Sequence, residues 1–141
     1  KSKRDKLKVI NLDAPVLIVD DNPMNSFVVC EMVKRLGFNA ITEKDSTKVV
    51  EVVKEYRPFL IFMDIQMPIV DGYQATKMIR ESDHLLGLEN TPVIALTADA
   101  EPQTKKKAIN AGMDDLIVKP FAPAHLELLV SRYASSYQPN S

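Results

Sequence analysis

Short, unbroken apolar runs alternate along this chain with longer segments in which apolar residues recur every third or fourth position. The runs are "VLIVD" at 16–20, "NAIT" at 39–42, "FLIFMD" at 59–64, "VIALT" at 93–97 and "LIVK" at 116–119. Each is too short for a helix and rich in branched side chains, so each predicts a strand. Between them Val49, Val53 and Tyr56 share one helical face, as do Ala75, Thr76 and Ile79, and later Leu126, Leu129, Val130 and Tyr133. The punctuation agrees with this division. Pro23 opens a helix after Asn22, Asp71 precedes "GYQATKMI", and Pro123 opens the last helix, while Gly37 after "KRL" and Gly112 after "INA" mark helix ends. The segment "EPQTKKKAINAG" carries the weakest apolar stripe and is expected to pack most loosely.

Strand–helix alternation implies a parallel sheet, because parallel neighbours need crossovers and these are nearly always right-handed. Runs that are apolar throughout fit strands covered on both faces. The fold class is therefore α/β, a doubly wound five-stranded parallel sheet. The folded unit is expected to run from Pro15 to Tyr133, with 1–14 a linker or disordered segment and 134–141 a tail. No output domain is expected to follow Tyr133.

The composition supports one soluble domain. With 141 residues, 45% hydrophobic and 26% charged, the chain can bury a sizeable core. A net charge of -1 argues against a broad nucleic-acid-binding surface. Apolar runs of about five residues are too short to span a bilayer, and "KSKRDKLK" lacks the apolar core of a signal peptide, so a cytoplasmic setting without membrane contact is expected. The one cysteine, Cys30, lies in "FVVCEMV" and reads as a small buried core residue.

The chemistry concentrates where the strands end. In open α/β sheets, ligands bind beyond the carboxyl ends of the strands. The first strand ends on Asp20 and Asp21, the third on Asp64, the fourth on Thr97 and the fifth on Lys119 followed by Pro120. Singly, each has an ordinary reading as a cap, a surface hydroxyl or a solvated charge. Together they place carboxylates, a hydroxyl and an ammonium on one rim, and clustered anions are costly unless neutralised. Hard oxygen donors without His or Cys select Mg2+, with Mn2+ an alternative. His84 and His125 fall away from this rim and read as surface residues. Metal, lysine and a carboxylate nucleophile point to phosphoryl transfer.

At this point "VDDN" (19–22), "MDIQMPIVDGY" (63–73), "ALTA" (95–98) and "VKPF" (118–121) resemble, in order and separation, the receiver domain of two-component response regulators. The resemblance implies a flavodoxin-like fold with strand order 2-1-3-4-5. It implies that Asp64 accepts a phosphoryl group from a phosphohistidine, with Asp21, Asp64 and the backbone carbonyl of Gln66 as direct Mg2+ ligands and Asp20 acting through water. Thr97, Lys119 and the backbones of Ala98 and Ile65 would contact the phosphoryl group, and Pro120 would follow Lys119 through a cis peptide. Such a domain catalyses its own phosphoryl transfer and dephosphorylation. One departure stands out: the family's switch aromatic, three residues before the lysine, is Leu116 here, so a smaller or differently routed surface change is expected.

"DDNPMN", "ALTADA" and "AGMDD" look more like receivers of hybrid histidine kinases or phosphorelays than like those of DNA-binding regulators. The resemblance thus implies a histidine kinase or histidine phosphotransfer protein as partner, and a monomer or weak dimer. For Met24, Asn25 and Phe27 in "PMNSFVV", partner docking and simple packing are both open readings. A stand-alone regulator signalling by protein contact is the nearest alternative. A haloacid-dehalogenase-type phosphatase would want a second acid where Gln66 stands. A flavin carrier would need hydroxyls and glycine in place of Asp20 and Asp21, and a nucleoside triphosphatase a glycine-rich phosphate loop that this sequence lacks. A degenerate receiver used only for docking has no reason to keep Asp20, Asp21, Asp64, Thr97 and Lys119 together.

Overall fold

The computed structural model describes residues 13–137; residues 1–12 of the linker expected at 1–14 and residues 138–141 of the tail expected at 134–141 lie outside the described residues. The order of elements is β1 (Val16–Val19), α1 (Pro23–Arg35), β2 (Ala40–Glu43), a short 3-10 turn (Ser46–Lys48), α2 (Val49–Tyr56), β3 (Leu60–Asp64), α3 (Gly72–Leu85), β4 (Val93–Thr97), α4 (Pro102–Ala111), β5 (Asp115–Val118) and α5 (Pro123–Ser136). All pairings are parallel and the strand order is β2-β1-β3-β4-β5. The chain therefore reverses its direction of winding between β1 and β3, at the centre of the sheet.

Side chains alternate across a strand, and both faces of this sheet are covered. Val16, Ile18, Leu60, Phe62, Ile94, Leu96 and Ile117 pack against Val29 and Val33 of α1 and Leu126, Leu129 and Val130 of α5. Leu17, Val19, Ile61, Met63, Val93 and Ala95 pack on the other face with Val49 and Val53 of α2, Ala75 and Ile79 of α3, and Ala108 of α4. Unbroken apolar runs in β1, β3 and β4 follow from this double burial. At the edge, β2 is only half-buried and Thr42 is exposed, so the expectation of cover on both sides fails there.

Caps follow the sequence signals. Asn22 Oδ1 accepts from the N–H groups of Met24 (2.9 Å) and Asn25 (3.4 Å), and Asp71 Oδ1 accepts from Gln74 N–H at 2.9 Å, each meeting an orphan donor of a helix start. Gly112, at φ +98°, ends α4 in the left-handed conformation. Two packing expectations need correction. Tyr56 shares the helical face of Val49 and Val53, yet it sits at the very end of α2 and is 48% exposed. Cys30 is half-buried at the margin of the α1 core instead of inside it.

The far end of the sheet is fastened by Arg80. Its guanidinium donates to the carbonyls of Gly112 (Nε, 2.9 Å) and Thr91 (Nη1, 2.5 Å) and to Asp114 Oδ2 (2.9 Å), which also accepts from Val93 N–H at 2.9 Å. This ties α3 to the starts of β4 and β5, and leaves the opposite end of the sheet to carry the exposed chemistry.

Candidate functional site: an acidic cleft at the carboxyl edge

β1 and β3 are neighbours in register, Val19 opposite Met63, so the residues that follow them meet at the same edge. There Asp20, Asp21 and Asp64 each offer a carboxylate oxygen within 4.8 Å of the others. Asp20 is 1% and Asp64 7% exposed, whereas Asp21 is open to solvent. Lys119, one residue past β5, brings its Nζ to 3.4 Å from Asp64 Oδ1 and 3.7 Å from Asp20 Oδ2. The Lys119–Pro120 peptide is cis.

Hydrogen bonds hold part of this arrangement. Asn22 N–H donates to Asp20 Oδ1 at 2.9 Å, and Gln66 N–H to Asp64 Oδ1 at 3.3 Å. Asp20 Oδ2, however, is buried without any hydrogen-bond partner. Burial raises the Asp64 carboxyl to about 6; the Asp20 charge adds to the rise, and Lys119 and the Gln66 N–H offset part of it. An orphaned buried carboxylate oxygen beside two further carboxylates fits a divalent cation held by hard oxygen donors.

A cleft of about 610 Å³ opens over Asp64, lined by Gln66, Thr97, Ala98, Asp99 and Lys119 among others. Thr97 ends β4 beside Asp64, and its Oγ1 accepts from Asp99 N–H at 3.3 Å. The Ile65 N–H donates to the Leu96 carbonyl at 3.2 Å, so a phosphoryl contact from it would compete with that sheet bond. Leu116 is half-buried on the α4 side of the sheet. Met24 and Phe27 point outward, 72% and 62% exposed, with Val28 beside them at 44%. Core packing is thereby excluded for Met24 and Phe27, while Asn25 is half-buried. His84 and His125 are exposed on α3 and α5, away from the cleft.

Sequence reasoning missed two supports of the site, Gly72 and Ser46, and placed Asp99 beside it without its partners. Gly72 starts α3 against the chain it follows: a Cβ there would meet the Asp64 carbonyl group and come to 2.8 Å from Ile65 Cα. "DG" inside "MDIQMPIVDGY" was its signal, and it reads equally well as a helix start. Ser46 Oγ donates to the Val70 carbonyl at 2.5 Å, anchoring the β3–α3 loop from a turn 24 positions earlier. Asp99 Oδ1 accepts from Thr104 Oγ1 at 2.7 Å and from Glu101 N–H at 3.0 Å, which folds the β4–α4 loop beside Thr97 and holds the Asp99 carboxyl below its usual range.

A family model described as "Response regulator receiver domain" matches residues 16–131, nearly all of this fold and every residue of the cleft. The chain belongs to that family. Among curated relatives, this receiver is 36% identical over 121 residues to hybrid signal transduction histidine kinase C of Dictyostelium discoideum, covering 84% of this chain and 10% of that protein. It thus spans a small part of the curated relatives it matches. Among solved structures, it is similar to the receiver domain of a Pseudomonas aeruginosa sensor histidine kinase with a magnesium ion coordinated in its active site cleft (34% identity, TM-score 0.75, 89% of this chain and 100% of that one). It is also similar to a Saccharomyces cerevisiae response regulator receiver crystallised with a histidine phosphotransfer protein (28% identity, TM-score 0.81, 87% and 90% covered). Among the described residues, no helix of this receiver is long and apolar enough to cross a membrane.

Proposed function

We propose that this receiver accepts a phosphoryl group on Asp64 from a phosphohistidine, within a phosphorelay, as part of a cytoplasmic hybrid sensor histidine kinase. The carrying observation is the cluster itself: Asp20, Asp21 and Asp64 within 4.8 Å, with Lys119 at 3.4 Å from Asp64 and one buried carboxylate oxygen unsatisfied. Hybrid-kinase origin is supported by the relatives; histidine phosphotransfer protein as partner is supported by the yeast complex and by the outward Met24 and Phe27 of α1.

Asp21 and Asp64, with the Gln66 backbone carbonyl, would hold Mg2+ directly, and Asp20 would hold it through water. When bound, the ion would neutralise the clustered carboxylates and the developing charge on the phosphoryl oxygens. A carboxylate oxygen of Asp64 attacks phosphorus as the bond from phosphorus to the donor's imidazole nitrogen breaks, and that nitrogen keeps the electron pair. Lys119 supplies a positive charge beside the acceptor, and Thr97 and Ala98 line the cleft, where the Thr97 hydroxyl and the Ala98 backbone N–H would donate to phosphoryl oxygens. A carboxyl near 6 is mostly ionised at neutral pH, as a nucleophile must be.

The test uses beryllofluoride, a phosphoryl mimic, with Mg2+. The wild type is expected to bind it, and Asp64→Ala is expected not to. Indifference of both proteins would sink this reading.

A further inference from the structure

A second apolar surface lies well away from the acidic cleft and from α1. α3 begins at Gly72 against Asp64 and runs to Leu85, about 20 Å along its axis. From its middle to the residue just past its end, Met78 (38% exposed), Leu85 (76%) and Leu86 (52%) line a shallow groove of about 290 Å³. α2 forms the other side with Val50 and Lys54, and Glu81 of α3 completes the rim. Single exposed leucines are ordinary, but three large apolar side chains gathered on one groove form a patch of the kind that partners cover.

The charges on this groove identify the occupant. Lys54 stands on the α2 wall and Glu81 on the α3 wall, and neither is ion-paired within the chain among the described residues. A twofold axis running along the groove, in the plane of contact, lays α2 of one copy over α3 of the other. That operation sets Lys54 of each copy toward Glu81 of the other and buries the apolar side chains between them. An isologous contact requires this kind of self-complementarity: the same patch must offer both a group and its counterpart.

We propose that the α2–α3 groove is a homodimer surface, in which Met78, Leu85 and Leu86 form the apolar centre and reciprocal Lys54–Glu81 pairs fix the register. The contact leaves the acidic cleft and the outward residues of α1 open, so a dimer would keep both available. Stable interfaces bury about 800 Å² per partner, more than these few side chains supply, so the association is weak and concentration-dependent.

Sedimentation velocity of the 141-residue chain from about 10 μM to about 1 mM tests this directly. The wild-type sedimentation coefficient is expected to rise from monomer toward dimer across the range, and Leu85→Asp, at an exposed position, is expected to stay monomeric with an unchanged circular dichroism spectrum. Lys54→Glu and Glu81→Lys are each expected to raise Kd at least about tenfold, because each turns both cross-copy pairs into like-charge contacts. An equimolar mixture of these two variants is expected to associate again, since the mixed dimer restores both opposite-charge pairs. Phe27→Asp on α1 is expected to change nothing. A wild type that stays monomeric throughout, a mixture that fails to recover, or loss of association in Phe27→Asp would each overturn the proposal.

Discussion

Asp64→Asn removes one charge from three crowded carboxylates while keeping the shape of the side chain. Without metal the Asp64 carboxyl sits at about 6 instead of 3.8, chiefly through burial and the Asp20 charge. Above pH 6 both folded and unfolded chains carry this carboxylate ionised, and the folded chain bears the whole cost. At 1.36 kcal/mol per pH unit the gap amounts to about 3 kcal/mol, a figure already net of the attraction of Lys119. Between pH 6 and pH 3.8 the folded state binds more protons than the unfolded, so this penalty shrinks as pH falls and vanishes below the lower value. The amide oxygen of the substituted side chain can still accept from Gln66 N–H. Urea unfolding in EDTA at pH 7.5 is therefore expected to show the variant more stable, with its midpoint higher by about 1–2 M, and the advantage gone at pH 3.5. Added Mg2+ should narrow the gap at pH 7.5 by stabilising the wild type alone. A variant less stable than wild type at pH 7.5, or an advantage independent of pH, would show that the buried Asp64 charge does not cost stability.

Gly72→Ala drives a methyl into the Asp64 and Ile65 backbone, which cannot swing aside, and is expected to cost about 2–4 kcal/mol in urea unfolding. Asp21→Asn is expected to weaken Mg2+ binding, followed by titration calorimetry, more than Asp20→Asn does, because the exposed Asp21 can take a direct coordination position; equal losses would merge their roles. Lys119→Ala removes the cation at 3.4 Å from Asp64 and is expected to raise the Asp64 pKa further, read by NMR titration, and to impair the response to beryllofluoride while largely keeping Mg2+ binding.

How much was legible in the sequence depends on the range of the interaction concerned. Strand and helix positions are local consequences of periodicity, and the fold recovers them to within a residue at most ends, with "NAIT" giving way to Ala40–Glu43 and "LIVK" to Asp115–Val118. Side-chain exposure was less legible: Tyr56 carries the right spacing but lies in the last turn of its helix, and Cys30 lies at the margin of the buried face set by Val29 and Val33. Of the acidic site, the identities of Asp20, Asp21, Asp64, Thr97 and Lys119 could be read because each directly follows or closes an apolar run. The supports of that site could not, because Ser46 reaches Val70 and Gly72 meets Asp64 only through the packing of separate elements.

An α/β chain with a polar group at the end of four strands is already written in neighbouring residues, as apolar runs, caps and turns. That β1 and β3 lie side by side, so that the three carboxylates close to within 4.8 Å and one buried oxygen has no hydrogen-bond partner, comes from packing across the sheet. Packing also brings Lys54 and Glu81, 27 positions apart in the sequence, into the lining of one groove. The physical reason is common to both: charge repulsion, desolvation and apolar exposure depend on distances that chain order does not contain, and packing alone sets them.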